Sequence, residues 1–327
     1  SGAPPSAIAR SGLEMGGDEL IDKARAEPGR PLVVQRAGLR APDRSGDIDM
    51  GPFHPVFDIA LKELRRALTL GRDTPDNRLG IARANLLRGD FDAALASLSA
   101  ARDDASAVWQ LLNAEVRAAR QANEEALPFY RAALERDPKL LDAWLGLARA
   151  EMALGRLDAA ADTLGGAMAQ KLDGITLWQV EGQLALAQRR YDAARAAFAK
   201  VLDSRPQDEL ALLGSAAADI AAGAHAPAAA TLDRLTEAAQ AGPRAQFLRA
   251  MVAAARRDPE AALNHLRRVL AVAPDHRDSL RQAAILHFEL GQYGDAENFL
   301  RRLVKREPED MQAQQMLEAA QPASGRV

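Results

Sequence analysis

Apolar residues recur every three or four positions in short segments along most of the chain, which is the spacing that predicts amphipathic α-helices. The clearest case lies between Arg277 and Pro308, where one segment ends at Gly291 and the next at Pro308. Glycine readily takes the positive φ that ends a helix, and proline cannot continue one. This stretch therefore predicts two helices joined by a tight turn, each with one apolar stripe.

A pair of one small and one large apolar residue, four positions apart, recurs in every predicted second helix. Successive pairs are 32 residues apart once and 34 residues apart thereafter, and several turn glycines and closing prolines keep the same period. A single hairpin cannot bury its own stripe, so it must stack on a neighbour of the same shape. A chain that supplies such neighbours at a fixed period predicts a solenoid. The pairs are Ala94 with Leu98, Ala126 with Tyr130, Ala160 with Leu164, Ala194 with Phe198, Ala228 with Leu232, Ala262 with Leu266, and Ala296 with Leu300.

These offsets of small residue, glycine, aromatic residue, alanine, large apolar residue and proline resemble the tetratricopeptide repeat. The resemblance covers about three quarters of the chain. It implies an all-α fold: a right-handed superhelical solenoid of about seven helix-turn-helix repeats with a C-terminal capping helix.

The repeat period divides the chain into four predicted parts. Residues 1–53 form an irregular leader with many prolines and glycines, and residues 54–74 form an N-terminal capping helix or partial repeat. Residues 75–310 hold seven repeats, and residues 311–327 a capping helix with a frayed tail. Two interpretations of the leader stay open: a flexible segment on the surface, or a segment whose Leu32, Val33 and Val34 dock in the protein's own groove or along its first helices.

Charge and hydropathy exclude several classes of partner. The 42 Lys and Arg residues and 45 Asp and Glu residues are interspersed along the chain, with a net charge of −3. No basic patch suited to a phosphate backbone results, so we expect no nucleic-acid partner. No apolar run is long enough to cross a bilayer, so we expect no transmembrane segment.

The search for catalytic chemistry predicts a protein that is not an enzyme, with no catalytic, cofactor-binding or metal site. The chain has no cysteine, which excludes disulfides, thiolate metal ligands and cysteine nucleophiles. Its five histidines form no pair at helical spacing, and no Walker loop, dinucleotide fingerprint or nucleophile elbow is present. For His265 and His287 we favour packing between helices over metal binding. For Gly165 and Gly166 we favour local weakening or close approach inside a helix over phosphate binding.

The family resemblance also implies which residues meet a partner, because the first helix of each tetratricopeptide hairpin lines the concave face. That groove is mostly apolar here, which predicts a protein or peptide partner with apolar anchors. The alternative is that about half of these side chains pack between adjacent first helices. The groove residues are Leu79, Arg83, Leu111, Glu115, Leu145, Arg149, Met152, Gln179, Gln183, Leu186, Leu213 and Ile220, with Ala217, Phe247, Met251, Arg281, Ile285 and Phe288 continuing the series.

One subtype of the family is disfavoured by these residues. Tetratricopeptide domains that clamp the C-terminal carboxylate of chaperones use Lys and Asn at inward positions. In this chain Leu79, Arg83, Leu145 and Arg149 stand there. We therefore expect no chaperone-tail partner.

A narrower resemblance concerns residues 274–318, which are similar to the repeats of the tetratricopeptide lipoprotein associated with the PEP-CTERM and exosortase system of Gram-negative bacteria. It implies a scaffold in envelope or exopolysaccharide assembly and favours the bacterial periplasm or cell envelope, with the cytoplasm as the alternative location. The alternative function is a regulatory or targeting module of a larger enzyme such as a glycosyltransferase.

Overall fold

The computed structural model describes residues 54–101 and 106–324 of the chain. The leader of residues 1–53 and residues 325–327 lie outside the described residues, so the two interpretations of the leader stay predictions. All regular structure in the described ranges is helical, as expected for an all-α fold. The chain divides into two units, at residues 1–172 and 173–327.

The described part of unit one is a single helix followed by three helical hairpins. The single helix α1 packs on α2, and each later hairpin packs on the one before it. The first hairpin is α2 with α3, the second α4 with α5, and the third α6 with α7. The helices are α1 (His54–Thr69), α2 (Pro75–Leu87), α3 (Phe91–Ala100), α4 (Ala107–Ala119), α5 (Asn123–Arg136), α6 (Leu141–Ala153) and α7 (Leu157–Ala169).

Unit two continues the same pattern with four hairpins and a final helix. The hairpins are α8 with α9, α10 with α11, α13 with α14 and α15 with α16, and α17 packs against α16. The helices are α8 (Ile175–Ala187), α9 (Tyr191–Ser204), α10 (Glu209–Ala221), α11 (His225–Asp233), α12 (Glu237–Ala241), α13 (Pro243–Ala255), α14 (Pro259–Val272), α15 (Arg277–Glu289), α16 (Tyr293–Arg306) and α17 (Met311–Ser324).

One expected helix is broken. The sequence pattern predicts a single second helix from Ala226 to Ala239, whereas α11 ends at Asp233 and the short α12 begins at Glu237. Thr236 causes the break, because its hydroxyl oxygen accepts the Ala239 N–H at 3.3 Å and so caps a new helix. Leu235, between the two helices, is still buried in the core.

The turns between paired helices use a left-handed residue whether or not glycine is available. Gly89 has φ 76° and Gly291 has φ 71° at the expected turns. Where the chain has no glycine, Gln121, Arg189 and Arg257 take φ of 65°, 59° and 59°. The glycine signal thus marks only some of the turns, and in the turn at Arg257-Asp258-Pro259, which has no glycine, the left-handed residue is Arg257.

The small and large residues of the repeat pattern form the core between helices. All seven small residues, from Ala94 to Ala296, have 0% of their surface exposed. Their large partners are buried as well, from Phe198 at 0% to Tyr130 and Leu164 at 3%. The packing role predicted from the period is therefore confirmed, since these residues let neighbouring helices approach closely.

Glycines make room for aromatic rings that pack between neighbouring helices. The ring of Phe198 lies between Gly182 and Gly214: a Cβ on Gly182 would come within 2.7 Å of the ring, and a Cβ on Gly214 would overlap it. The ring of Trp144 covers Gly166 in the same way, at 2.6 Å from a Cβ built there. Gly166 thus lets the ring of Trp144 pack directly on its helix, whereas Gly165 has open space around it.

No helix in the described ranges combines the length and the apolar character that a membrane crossing requires.

Gly214→Ala should destabilise the protein, because the ring of Phe198 is fully buried and cannot move aside. We expect a loss of about 1–3 kcal/mol in the free energy of unfolding. Gly165→Ala is the control, since it adds the same methyl group in a helix with open space and should gain about 0.5–1 kcal/mol. Urea denaturation measures both. Equal effects of the two substitutions would contradict the packing described here.

Candidate protein-interaction surface

The first inward residue of each first helix is called the leading position here. In four hairpins it holds a leucine of the expected groove, and these side chains are buried: Leu79 is 7% exposed, Leu111 2%, Leu145 1% and Leu213 4%. Leu79, Leu111 and Leu213 each belong to a core cluster with residues of the neighbouring helices. These four leucines pack between helices, as the alternative interpretation of the groove expects, and they offer little surface to a partner.

In the other three hairpins the leading position contacts the residue that caps the next first helix or, in the last hairpin, the final helix α17. The Gln179 side-chain amide donates to both carboxylate oxygens of Asp208 at 3.1 Å, and Asp208 caps α10 by accepting the Ala211 N–H at 2.9 Å. This contact joins the start of α10 to α8. Gln179 is therefore engaged within the protein.

Arg281 and Phe247 make the equivalent contacts. The Arg281 guanidinium donates to the carboxylate of Asp310, which caps α17 by accepting the Ala313 N–H at 3.1 Å. The Phe247 ring lies 5.5 Å from the ring of His276, whose Nδ1 accepts the Ser279 N–H at the start of α15. The leading position thus couples successive first helices, and the sequence pattern did not reveal this role.

The residues four and seven positions after each leading position remain partly accessible, and they are called the first-helix row here. In unit one the row includes half-buried Arg83, Glu115 and Met152 and exposed Arg149. The row of unit two is half-buried throughout. Its predicted members are Gln183, Leu186, Ala217, Ile220, Met251, Ile285 and Phe288.

The row differs in character between the two units. Charged side chains hold three of its positions in unit one, whereas every predicted member of unit two except Gln183 is apolar. Met251, Ile285 and Phe288 fall on α13 and α15, which follow one another as first helices. In unit two, apolar atoms thus stay within reach of solvent at equivalent positions of α8, α10, α13 and α15.

The histidines support a packing role. His265 Nδ1 lies 2.8 Å from the Gln246 side-chain oxygen, and His287 Nδ1 lies 2.6 Å from that of Gln292. Burial, followed by the charges of Arg268 and Arg249, lowers the pKa of His265, so its neutral form is favoured. Over the described residues no group of three His, Asp or Glu side chains is arranged to hold a metal ion.

Buried acidic residues on first helices went unnoticed in the sequence. Glu151, 2% exposed, accepts from the Thr163 hydroxyl at 2.7 Å and from Arg131 at 3.3 Å. Asp219, 5% exposed, accepts from Arg195 at 3.1 Å. Both lie nine positions before the small residue of their second helix, and this shared offset is the signal that could have found them.

Family models described as tetratricopeptide repeat match residues 57–108, 117–184, 185–252 and 253–320. These matches cover most of the described helices.

A mouse (Mus musculus) protein, DnaJ homolog subfamily C member 3, is 28% identical over 184 residues, which cover 52% of this chain and 36% of that protein. The chain thus spans about a third of the length of this curated relative.

Two solved structures share the fold at low sequence identity. The APC/C hetero-tetramer Cut9-Hcn1 superposes with a TM-score of 0.64 at 15% identity, over 83% of this chain and 53% of that one. A tetratricopeptide repeat protein from Parabacteroides merdae ATCC 43184 superposes with a TM-score of 0.57 at 15% identity, over 83% of this chain and 98% of that one.

Asp310→Asn tests the contact at the leading position. Asparagine still caps a helix, but it removes the anion beside Arg281, whose side chain is only 24% exposed. We expect a loss of about 1–2 kcal/mol in the free energy of unfolding, between the values for exposed and buried ion pairs. Asp258→Asn is the control, because exposed Asp258 caps α14 in the same way. Similar losses for both variants in chemical denaturation would show that Arg281 gains nothing from Asp310.

Proposed function

Because this chain belongs to the tetratricopeptide repeat family, we propose that it is a non-enzymatic scaffold that binds a protein or peptide partner through the first-helix row. The family membership agrees with the resemblance found in the sequence. The fold supports an interaction role, and the proposal adds the surface and the chemistry of the partner.

The observation that carries the proposal is the apolar first-helix row of unit two. Its side chains stand at equivalent positions on four first helices and are only half-buried, although leucines nearby on the same helices, such as Leu213, are buried. Isolated apolar residues on a surface need no explanation, but a repeated series of them supports a binding surface. A partner that covers this series removes from water the apolar surface that folding leaves exposed, which favours binding.

The spacing of the row favours an elongated partner with several apolar anchors. Each first helix has two row residues, four and seven positions after its leading position. Contacts with a partner would therefore repeat from one first helix to the next along unit two. Such a surface suits an extended segment or an amphipathic helix, both of which present side chains at regular intervals.

The setting of this scaffold is part of the proposal. The similarity of residues 274–318 to the PEP-CTERM-associated lipoprotein repeats favours a bacterial envelope or exopolysaccharide assembly. The second candidate is a regulatory or targeting module of a larger enzyme such as a glycosyltransferase. It is favoured by the curated relative, in which the matched repeats make up about a third of the protein.

The sequence of the complete gene separates the two settings. A catalytic domain joined to the repeats would support the module. A signal segment followed by a lipid-bearing cysteine would support the envelope scaffold.

The binding surface is tested with the double variant Met251→Asp, Ile285→Asp in affinity capture from lysate and envelope fractions of the source cells. Each captured protein is then purified and its dissociation constant measured directly. We expect at least a tenfold weaker interaction, because two carboxylates would be placed in an apolar contact.

Val272→Asp is the matched control, since Val272 is 71% exposed at the end of a second helix, α14, and should leave binding unchanged. Circular dichroism confirms that each variant is folded. If the double variant binds as tightly as the control, the partner uses another face and the proposed surface is wrong.

A further inference from the structure

The helix α1 is a second helix that has no first helix of its own among the described residues. Ala60 and Leu64 lie 34 positions before Ala94 and Leu98, the small and large residues of α3. Each later second helix packs against the first helix of its own hairpin, whereas α1 packs on α2 of the following hairpin. Within the described ranges, one side of α1 therefore lacks the neighbour that every later second helix has.

Three apolar positions of α1 are more accessible than their equivalents elsewhere. Ala60, Leu64 and Ala67 are half-buried. The residues at the same three positions of the seven later second helices are all buried, with at most 4% of their surface exposed. Since the residues are apolar in every case, the difference reflects the neighbour that α1 lacks.

The contacts of Leu64 show which side of α1 is open. A Cβ built on Gly80 of α2 would lie 3.2 Å from Leu64, and the ring of Phe198 meets Gly214 of its following first helix in the same way. The other side of the Phe198 ring is covered by Gly182, which belongs to its own first helix. Leu64 has α2 on one side and no described helix on the other.

Four residues form one edge of this open side. They are Ile59, Glu63, Arg66 and Leu70, which follow one another at steps of four, three and four positions and so share a helix face. Leu70 directly follows the last residue of α1, but its N–H still donates to the Arg66 carbonyl at 3.1 Å and keeps the helical register. Ile59 is 42% and Leu70 68% exposed. The edge thus has an apolar residue at each end, with one acid and one base between them.

This order of residues is self-complementary. Ile59 lies as far before the midpoint between Glu63 and Arg66 as Leu70 lies after it. In an antiparallel pair of α1 helices related by a two-fold axis at this midpoint, each Ile59 meets Leu70 of the other copy. Each Glu63 likewise meets Arg66 of the other copy. The small side chain of Ala67 beside this edge allows the two helices to approach closely.

We propose that α1 is a self-association surface, on which a second copy of this chain places its own α1 antiparallel where a complete hairpin has its first helix. Charge complementarity selects this occupant, because the pair of Glu63 and Arg66 forms twice across the two-fold axis. An isologous contact closes at two copies, so it predicts a dimer and not a fibre. The inference goes beyond the proposed function and does not depend on the first-helix row.

The final helix α17 of another copy does not fit the open side of α1. It takes the place of a first helix, one repeat period after α15. In α15 that place buries Leu280 and Ala284 in a cluster shared with the second helix α16. The same positions of α17 hold Gln314 and Glu318. Head-to-tail association would therefore bury the exposed carboxylate of Glu318 against apolar residues of α1, which is unfavourable.

Sedimentation equilibrium of the full chain at a series of concentrations tests the dimer. We expect a reversible monomer–dimer equilibrium with a dissociation constant on the order of micromolar, because a single helix pair is a small interface. Ile59→Asp should weaken dimerisation by about tenfold or more, since each copy then places a carboxylate in an apolar contact. Met168→Asp is the matched control, because Met168 is 43% exposed on another second helix, α7.

Circular dichroism confirms that each variant is folded. A chain that stays monomeric at every concentration would refute the proposal. So would a dimer that Ile59→Asp and Met168→Asp weaken equally.

The charge pair tests the antiparallel arrangement, at low ionic strength where exposed charges are least screened. Glu63→Arg alone and Arg66→Glu alone should each weaken dimerisation by about tenfold, because like charges then face each other twice. The double variant Glu63→Arg, Arg66→Glu should dimerise as well as the unchanged chain, since the swapped charges meet again. A double variant that is as weak as the single ones would contradict this arrangement.

The chain has no cysteine, so one introduced thiol can report what covers α1. The Ile59→Cys variant is alkylated at low and at high protein concentration. Labelling that slows as the concentration rises supports a second copy as the occupant. Labelling that is slow at every concentration would show that another part of the same chain covers α1. Labelling that is fast at every concentration would show that copies of this chain leave α1 open, and either result overturns the proposal.

Discussion

Close approach of neighbouring helices at small residues is the constraint on which the rest of the structure depends. The seven buried alanines of the second helices leave room for one large side chain four positions later, and glycines widen the space where that side chain is Phe198. Because the interior is packed as densely as an organic crystal, a single added methyl group is felt at these points. The sequence has a period of about 34 residues because this one contact is repeated at each hairpin.

Once that contact fixes the hairpins, the first helices divide their positions among separate tasks. Residues such as Leu111 fill the core, Gln179 and Arg281 hold the cap of the next first helix, and Glu151 and Asp219 pair with arginines of second helices. What stays accessible is the first-helix row. The candidate surface is therefore the part of the first helices that packing, capping and ion pairing leave accessible. In unit two it is apolar, and Leu186, Ala217, Ile220 and Phe288 also pack part of their surface against the core.

The sequence predicted the helices and their core well, because the small and large residues recur at a period that no single hairpin explains. It predicted the surface less well. Burial of Leu79 and Leu145 depends on how deeply neighbouring helices insert, and spacing along one helix cannot distinguish a buried leucine from an accessible one. The break before Glu237 arose from one hydroxyl of Thr236, which no periodicity encodes. The polar contacts of Gln179 and Arg281 join residues 29 positions apart, beyond the reach of local pattern analysis.

Hydrogen–deuterium exchange of the full chain, alone and saturated with its purified partner, tests the central claim most directly. Amide exchange reports which helices become protected when a surface is covered. The account predicts slower exchange in the first helices α8, α10, α13 and α15 of unit two, with little change in the second helices α9, α14 and α16. Protection confined to those second helices would contradict the account and move the binding surface to the opposite side of the hairpins.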